Sequence, residues 1–406
     1  MSDPLPRLRM DLDLMPSPIE DRPGFLMRDP RGYSDATLIV PPFLAQFLPF
    51  FDGSHTELDL REMLVRATGD ITAGQAVTHL RETLSTAGFL HDEEYERMKL
   101  ACHQAFAEAD VRPPAHAGSA YPEQEGELRE TIGGYLDGEA HGADPGSLIA
   151  IAAPHVSPFG GSQSYRAAYR ALAAEHADRI FVILGTSHYG APARFGLTRK
   201  PFVTPYGDAP TERRLVDELA GAAPAAVELE DYHHAVEHSI EFQVVFLQHL
   251  YGPGVRILPV LCGSFYESIA KGGLPEDDEE VRRFFEALGD MAAREGKRLA
   301  FVLGIDMAHM GRRYGDSFAA SASAGEMVGI EERDRARIQR VEAGDAIGFW
   351  ELVRDGNDDD LKWCGSSPVY TFLKAVPQAR GELLRYEQWN IDRESVVSFA
   401  GMVFRG

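Results

Sequence analysis

Four polar residues stand just past the ends of short apolar runs. Residues 147–152 lead into Ala153-Pro154-His155, residues 179–184 into Gly185-Thr186-Ser187-His188, and residues 298–303 into Gly304-Ile305-Asp306-Met307-Ala308-His309. Imidazole and carboxylate are ligands for divalent transition metals, and imidazole suits iron, copper and zinc. In open α/β sheets, ligands bind beyond the carboxyl ends of the strands. His155, His188, Asp306 and His309 are therefore expected at one rim. A second group is Tyr232-His233-His234-Ala235-Val236-Glu237-His238-Ser239-Ile240-Glu241. On a helix, Glu237 and Glu241 share a face, as do His234 and His238, and His238 neighbours Glu241 at i,i+3. That spacing suits metal binding, orientation of a ligand histidine or proton transfer. It equally suits a polar helix start ahead of Val245, Phe246 and Leu250. The third element, Lys362-Trp363-Cys364-Gly365-Ser366-Ser367-Pro368, places a thiol at a turn. Soft sulfur favours Cu(I), Fe or Zn over Mg or Ca, while taken alone the residue better fits a buried, inert cysteine.

These residues need a scaffold. The runs 147–152, 179–184, 255–261 and 298–303 suit strands buried on both faces of a sheet. Helices are expected over 163–174, 211–220, 237–250 and 279–295. The alternation implies an α/β fold, a layered sheet with helices on both faces. Residues 395–400 and 402–404 read as terminal strands, and the acidic run 357–360 as a solvated loop. Upstream, Val111-Arg112-Pro113-Pro114 blocks a helix and favours an extended linker. The chain is thus expected to divide into residues 1–112 and 113–406. In the first part a hairpin containing Tyr33 and residues 37–40 precedes helices over 41–51, 59–68 and 73–87. The last carries Ala76, Val77, Leu80 and Leu84 on one face and stops at Gly88, with residues 89–90 as a wing strand. The pattern is that of a small winged-helix-like α+β domain.

Composition narrows the partners. The chain has 406 residues, 63 acidic against 40 basic, and a formal charge of −23. Phosphate binding needs a concentrated basic surface, so nucleic acid is excluded as a main partner, and an anionic membrane surface likewise. No segment approaches the roughly 18 apolar residues that span a bilayer. The first residues lack the apolar stretch of a secretory signal. Cys102, Cys262 and Cys364 lie too far apart for a disulfide framework, which fits a reducing compartment. Cys102 and Cys262 read as structural. A cytoplasmic protein is expected. There is no G-x-G-x-x-G after a strand, no G-x-x-x-x-G-K-[ST], no H-E-x-x-H and no C-x-x-C, and the Ser187 turn lacks the closing glycine of a nucleophile elbow.

Residues from about 113 to 406 resemble the Memo family, which includes the B component of AmmeMemoRadiSam systems. The motifs, in the family's order, are His116-Ala-Gly-Ser-Ala-Tyr121, Ala153-Pro-His155, Gly185-Thr-Ser-His188, Thr204-Pro-Tyr-Gly207, Glu237-His-Ser-Ile-Glu241, Leu258-Pro-Val260, Asp306-Met-Ala-His309, and Cys364-Gly365 with Pro368. The resemblance implies a fold similar to the class III extradiol dioxygenases. It also implies a metal, iron or copper, bound by two histidines and a cysteine. Matched by motif, these are His155, His188 and Cys364, with Asp306, His309 and His238 lining the same pocket. This sequence departs from the family in Val156-Ser-Pro-Phe159 after His155, in Gly304-Ile305 before Asp306 and in Met310-Gly311 after His309. Those changes spare the ligands and reshape the pocket. Residues 1–112 resemble the PqqD-like, winged-helix domains that hold precursor peptides, through the hairpin, the apolar helix ending near Phe50-Phe51-Asp52-Gly53, and Leu84 followed by Gly88-Phe89-Leu90. A small accessory or dimerisation domain is the other reading of this segment.

The implied activity is a mononuclear non-haem oxidoreductase using dioxygen on a small-molecule or peptide-borne substrate. Fe(II) is the first expectation for its metal, ahead of Cu or Zn. His238 or His309 would serve as general acid or base, with Asp306 or Glu241 orienting it. Two other readings stand beside it. One is a non-catalytic metal-binding scaffold whose N-terminal domain recruits a peptide or a partner enzyme. The other is a hydrolase in which zinc generates hydroxide near neutral pH.

Overall fold

The segment Ile180-Phe-Val-Ile-Leu-Gly-Thr186 has no polar alternation, and all of it is buried in the computed structural model, which describes residues 4–19, 21–69, 74–138 and 145–406. The chain forms two compact units, Met1–Glu108 and Ala109–Gly406.

In the first unit, β1 (Asp13–Pro16), β2 (Phe25–Arg28) and β3 (Thr37–Val40) form an antiparallel sheet with Leu14 opposite Met27 and Leu26 opposite Ile39. Of the hairpin expected from Tyr33 and residues 37–40, only 37–40 is a strand: Tyr33 lies in the bend before it, and the strand paired with β3 is β2, upstream of the expected hairpin. The helix expected over 41–51 is broken into α1 (Pro42–Ala45) and a 3₁₀ turn at Leu48–Phe50, because Pro49 has no N–H with which to continue it. Helix α2 (Glu57–Thr68) starts in a reciprocal cap between Thr56 and Asp59, a strong start signal. Helix α3 (Gly74–Thr86) buries Val77, Leu80 and Leu84, whereas Ala76 faces outward. Its expected first residue, Ala73, lies outside the described residues. Helix α4 (Glu93–Glu108) follows. The expected wing strand at 89–90 is instead a single bridge between Leu8 and Leu90, because α4 begins at Glu93. Too few residues remain for a ladder, and Phe89 and Leu90 serve as fully buried core.

The second unit runs α5 (Glu125–Leu136), β4 (Leu148–Ala153), α6 (Pro158–Tyr169), β5 (Ile180–Thr186), β6 (Phe195–Leu197), β7 (Phe202–Thr204), β8 (Gly207–Ala209), α7 (Arg213–Ala222), β9 (Val227–Leu229) and α8 (His238–Tyr251). It continues with β10 (Arg256–Cys262), α9 (Tyr266–Lys271), α10 (Glu279–Glu295), β11 (Leu299–Gly304), β12 (His309–Gly311), α11 (Glu326–Glu342), α12 (Ala346–Val353), α13 (Ser366–Ala375), β13 (Arg380–Asn390) and β14 (Ser395–Arg405). Nine strands make one sheet in the order β12-β14-β4-β11-β5-β10-β6-β9, with β13 also on β14. Its centre, β4-β11-β5-β10, is parallel. The four strands therefore end at the same edge, at Ala153, Gly304, Thr186 and Cys262.

Alternate side chains of these strands enter two cores. Ala150, Val182, Leu184 and Leu303 pack with residues of α7, α10, α11, α12 and α13. Ile151, Phe181, Ile183 and Val302 pack with residues of α5, α6 and α8. The fold is accordingly mixed α/β with a large central sheet and helices on both faces. The helix expected over 163–174 starts earlier, at Pro158, where proline's fixed φ suits a first helical residue. Gly160 and Gly161 are poor helix formers and obscure that start in the sequence. The two expected terminal strands are one, running through Gly401. The acidic run is not wholly a free loop: Asp359 bonds Arg337 and the backbone N–H of Trp363, and so ties down the segment before Cys364.

Candidate metal centre

Three of the parallel strands deliver a polar residue two positions past their last residue. His155 follows Ala153, His188 follows Thr186 and Asp306 follows Gly304. The fourth contribution is the first turn of α8, which carries His238. One ligand atom from each of His155, His188 and His238 lies within 4.8 Å of those from the other two. The His188 and His238 rings stack at 5.0 Å, and His155 meets them edge-on at 5.0 and 5.2 Å.

Each ring is held from behind. His155 Nδ1 lies 2.9 Å from the carbonyl oxygen of Gly304. A carbonyl can only accept, so Nδ1 carries the proton and the Nε2 lone pair is left for another partner. His188 Nδ1 donates to Glu237 at 3.0 Å, and the His188 backbone N–H donates to the other carboxylate oxygen at 3.0 Å. His238 Nδ1 is 3.2 Å from Glu237 Oε1. Ligand histidines characteristically donate their second N–H to a carboxylate or carbonyl, which fixes tautomer and ring orientation.

Glu237 also caps α8, accepting the backbone N–H groups of His238 and Ser239. Burial alone would raise its pKa, but His188 and these donors hold it well below the usual carboxylate range. Burial works against a charge on His188, and Glu237 overrides it, raising that imidazole well above its ordinary value. His238 goes the other way. Burial pushes it well down, helped by His188, His155 and His116, despite Glu237.

Cys364 Sγ lies 3.2 Å from His155 Nε2. Its loop is fastened to two strand ends: Thr186 Oγ1 donates to the Cys364 carbonyl at 2.9 Å, and the Gly365 N–H donates to the Asp306 carbonyl at 3.0 Å. A side chain at 365 would collide with Ile305 and the Asp306 carbonyl, so glycine after Cys364 is what lets the loop close. Burial would raise the Cys364 thiol, yet His155 brings its pKa below the ordinary value. Cys262 is fully buried and pushed up to about 12 by burial, which fits a structural thiol.

Asp306 Oδ1 accepts the backbone N–H groups of His155 and Val156 at 2.9 and 3.2 Å. Burial pushes this carboxyl up to about 6 against the pull of His309 and those donors. His309 Nδ1 is engaged by the Met307 and Lys362 carbonyls at 2.9 and 3.2 Å, and burial lowers its pKa.

Two sequence expectations change. His234 does not share a helix with His238: it sits in a separate 3₁₀ turn, Tyr232–Ala235, because Glu237 caps α8 and the helix starts one residue later. Its Nε2 is turned to the Gly196 carbonyl at 3.0 Å. Glu241 is not the group that orients His238. Its fully buried carboxylate accepts from Arg112, Tyr121 and the backbone N–H groups of Ala115 and His116. Glu237 takes the orienting place. That role was signalled by a carboxylate immediately before the helix start. His116, edge-on to His238 at 5.7 Å, was missed as a neighbour of the centre, since nothing local distinguishes it in a loop.

The sequence model of the Memo-like protein family matches residues 112–403. The chain belongs to the Memo family. A MEMO1 family protein of Aquifex aeolicus is 26% identical over 383 residues, covering 94% of this chain and 96% of its own. Memo relatives in Thermococcus kodakarensis and Thermoplasma acidophilum are 30% and 33% identical over 303 and 298 residues. They cover 73% and 72% of this chain and 99% and 98% of theirs. All three are named as MEMO1 family proteins. The Aquifex alignment is longer than the 298 residues of Ala109–Gly406 and therefore reaches into the first unit. Among the described residues of this Memo protein no helix is long and apolar enough to cross a membrane.

Proposed function

We propose that this Memo protein is a mononuclear metal enzyme. In this reading His155, His188 and Cys364 hold the metal, iron is the metal, and the activity is an oxidation with dioxygen on a small-molecule or peptide-borne substrate. The observation that carries it is the convergence of three imidazoles within 4.8 Å with a thiol 3.2 Å from one of them. The donor chemistry fits. Imidazole nitrogen and thiolate sulfur suit iron, copper and zinc, not magnesium or calcium, and Nδ1 of each histidine already has a carbonyl or carboxylate partner. A bound iron supplies one-electron chemistry with dioxygen. The remaining groups position and move protons: Asp306 fixes the loop carrying His155, Glu237 orients His188 and His238, and His238 or His309, both neutral by burial, can take a proton.

The test is metal analysis of protein purified and reconstituted anaerobically, followed by oxygen consumption with candidate substrate pools. Iron bound one per chain, lost on His155→Ala, with substrate-dependent oxygen uptake, supports the reading. No metal uptake overturns it. A second reading, a zinc-dependent hydrolase, is favoured by the convergence of His238 with the other two histidines, since three histidines form a known catalytic zinc set. Zinc as the sole co-purifying metal, with ester or amide cleavage under argon, would select it.

Residues 1–108, with their resemblance to peptide-holding domains, are assigned in the same proposal to recruitment of a peptide or partner enzyme. Loss of turnover on a peptide substrate, but not on its free side-chain analogue, after their removal would support this.

A further inference from the structure

Asp334 projects from α11 and is fully buried. Taking a carboxylate out of water is costly unless hydrogen bonds replace the lost solvation, and here three do. Oδ1 accepts the Trp363 indole N–H at 2.6 Å, while Oδ2 accepts the Tyr386 hydroxyl at 2.7 Å and the Ser398 hydroxyl at 2.6 Å. Burial still pushes its pKa up, against the pull of those donors and of Arg337. None of the three donors is a candidate ligand or proton carrier, yet two of them stand beside one. Trp363 immediately precedes Cys364, and its backbone N–H is held separately by Asp359 at 2.9 Å. Ser398, in β14, is bonded three times to the segment between Asp306 and His309. Its Oγ accepts the Ala308 N–H at 2.8 Å, its N–H donates to the Ala308 carbonyl at 2.9 Å, and its carbonyl accepts the Met307 N–H at 2.8 Å.

The same loop carries a second constraint. Lys362 has a φ of +53°, a left-handed backbone that side chains other than glycine's rarely adopt. In that conformation its carbonyl meets His309 Nδ1 at 3.2 Å, and its Nζ reaches Asp316 at 2.9 Å. The Cys364 loop and the His309 segment are thus joined directly at Lys362 and indirectly through Asp334.

We propose that Asp334 is a positioning residue of the metal centre, holding Cys364 through Trp363 and residues 306–309 through Ser398. A buried polar network with every member satisfied specifies one arrangement, so a single carboxylate sets the thiol and the His309 imidazole relative to each other. This deepens the metal-enzyme reading and rests on it for the roles of Cys364 and His309.

The test uses the full chain. Metal affinity is measured by chelator competition, and local opening by hydrogen exchange of the metal-free protein, which reports opening segment by segment. Asparagine at 334 keeps the size of the side chain but cannot accept from all three donors. Asp334→Asn should weaken metal binding about tenfold, the low end for outer partners of metal ligands, and raise exchange in both 306–309 and 362–366. Trp363→Phe, which removes the indole donor, should raise it in 362–366 alone, and Ser398→Ala in 306–309 alone. Joining Asp334→Asn to Trp363→Phe should weaken metal binding little beyond Asp334→Asn itself, because both remove the same link. Parental metal affinity in Asp334→Asn overturns the proposal, as does exchange that stays parental in both segments or rises evenly through the second unit. If the parent protein takes up no metal, the metal-enzyme reading fails, and the exchange pattern alone still decides whether Asp334 positions the two segments.

Discussion

Glu237 and His188 are joined twice, the backbone N–H and Nδ1 of the histidine reaching the two oxygens of one carboxylate at 3.0 Å each. The same carboxylate caps α8 through the backbone N–H groups of His238 and Ser239. One side chain thus couples the end of β5 to the start of α8, the two elements that place His188 and His238. Glu237→Gln replaces one acceptor oxygen with a donor and breaks one of these links. Metal affinity should fall about 10- to 100-fold, as for other outer partners of ligand histidines, with about 1 kcal/mol of stability lost from the cap. Chelator competition and urea unfolding measure the two effects. Affinity unchanged beside a measurable loss of stability would remove His188 from the ligand set.

Cys364 and His238 compete for the third ligand position, and paired substitutions separate them. Cys364→Ser should lower affinity and erase any sulfur-to-metal charge-transfer band, while His238→Ala should leave both nearly intact and reduce turnover. The reverse pattern would establish the three-histidine set and favour the hydrolytic reading.

Much of this arrangement was legible in the sequence, for a physical reason. A strand buried on both faces announces itself as an unbroken apolar run, so 147–152, 179–184 and 298–303 gave β4, β5 and β11 to within two residues at each end. His155, His188 and Asp306 then followed from the parallel arrangement. Cys364 did not. It lies in a loop between α12 and α13, and its place is set by long-range bonds to Thr186 and Asp306 that leave no local trace. It entered through family resemblance alone. Glu241 was misjudged because i,i+3 spacing reports a shared helix face and cannot report that Arg112, 129 residues earlier, claims the carboxylate. In the first unit residues 37–40 and the helices are written in local patterns, but the four-residue strands β1 and β2 are too short to announce themselves, and Pro49 cuts short an otherwise apolar helix.

Asp306 has a structural and a chemical side that different substitutions expose. Oδ1 accepts two backbone N–H groups of the His155 loop. Asparagine can keep that oxygen while losing the carboxyl proton. Asp306→Asn should therefore retain metal uptake and lose turnover by about 100-fold, within the range of positioned acid–base groups. Asp306→Ala should lose both, with about 1–3 kcal/mol of stability for two unsatisfied buried N–H groups. If the asparagine variant is fully active, Asp306 only holds the loop.

Gly304 ends β11 directly under the first turn of α8. A methyl group there would overlap the Ser239 carbonyl and crowd Gln243, so α8 would have to shift. Overpacking of this kind costs about 1–3 kcal/mol. Gly304→Ala should lower the unfolding midpoint and also weaken metal binding, because His238 and Glu237 ride on the displaced turn. A variant with parental metal affinity would mean that the α8 start is not rigidly tied to the sheet edge.

Arg112 and Glu241 form a fully buried ion pair, supported by Tyr121 and two backbone N–H groups. Breaking it from either side strands the other charge, at a cost of about 3–5 kcal/mol. Arg112→Met should therefore destabilise the second unit severely, and Arg112→Met with Glu241→Leu less than the single change. Burial acts to raise the Glu241 pKa, but Arg112 holds it below its ordinary value. A carboxylate with a depressed folded pKa adds stability that is complete above its unfolded pKa, about 4.3 for glutamate, and is lost as pH falls through the folded value. Urea unfolding between pH 7 and 3 should accordingly show an acid limb that is shallower in Glu241→Gln. Parallel curves for parent and variant would show that this carboxylate gives up no proton-linked stability on folding.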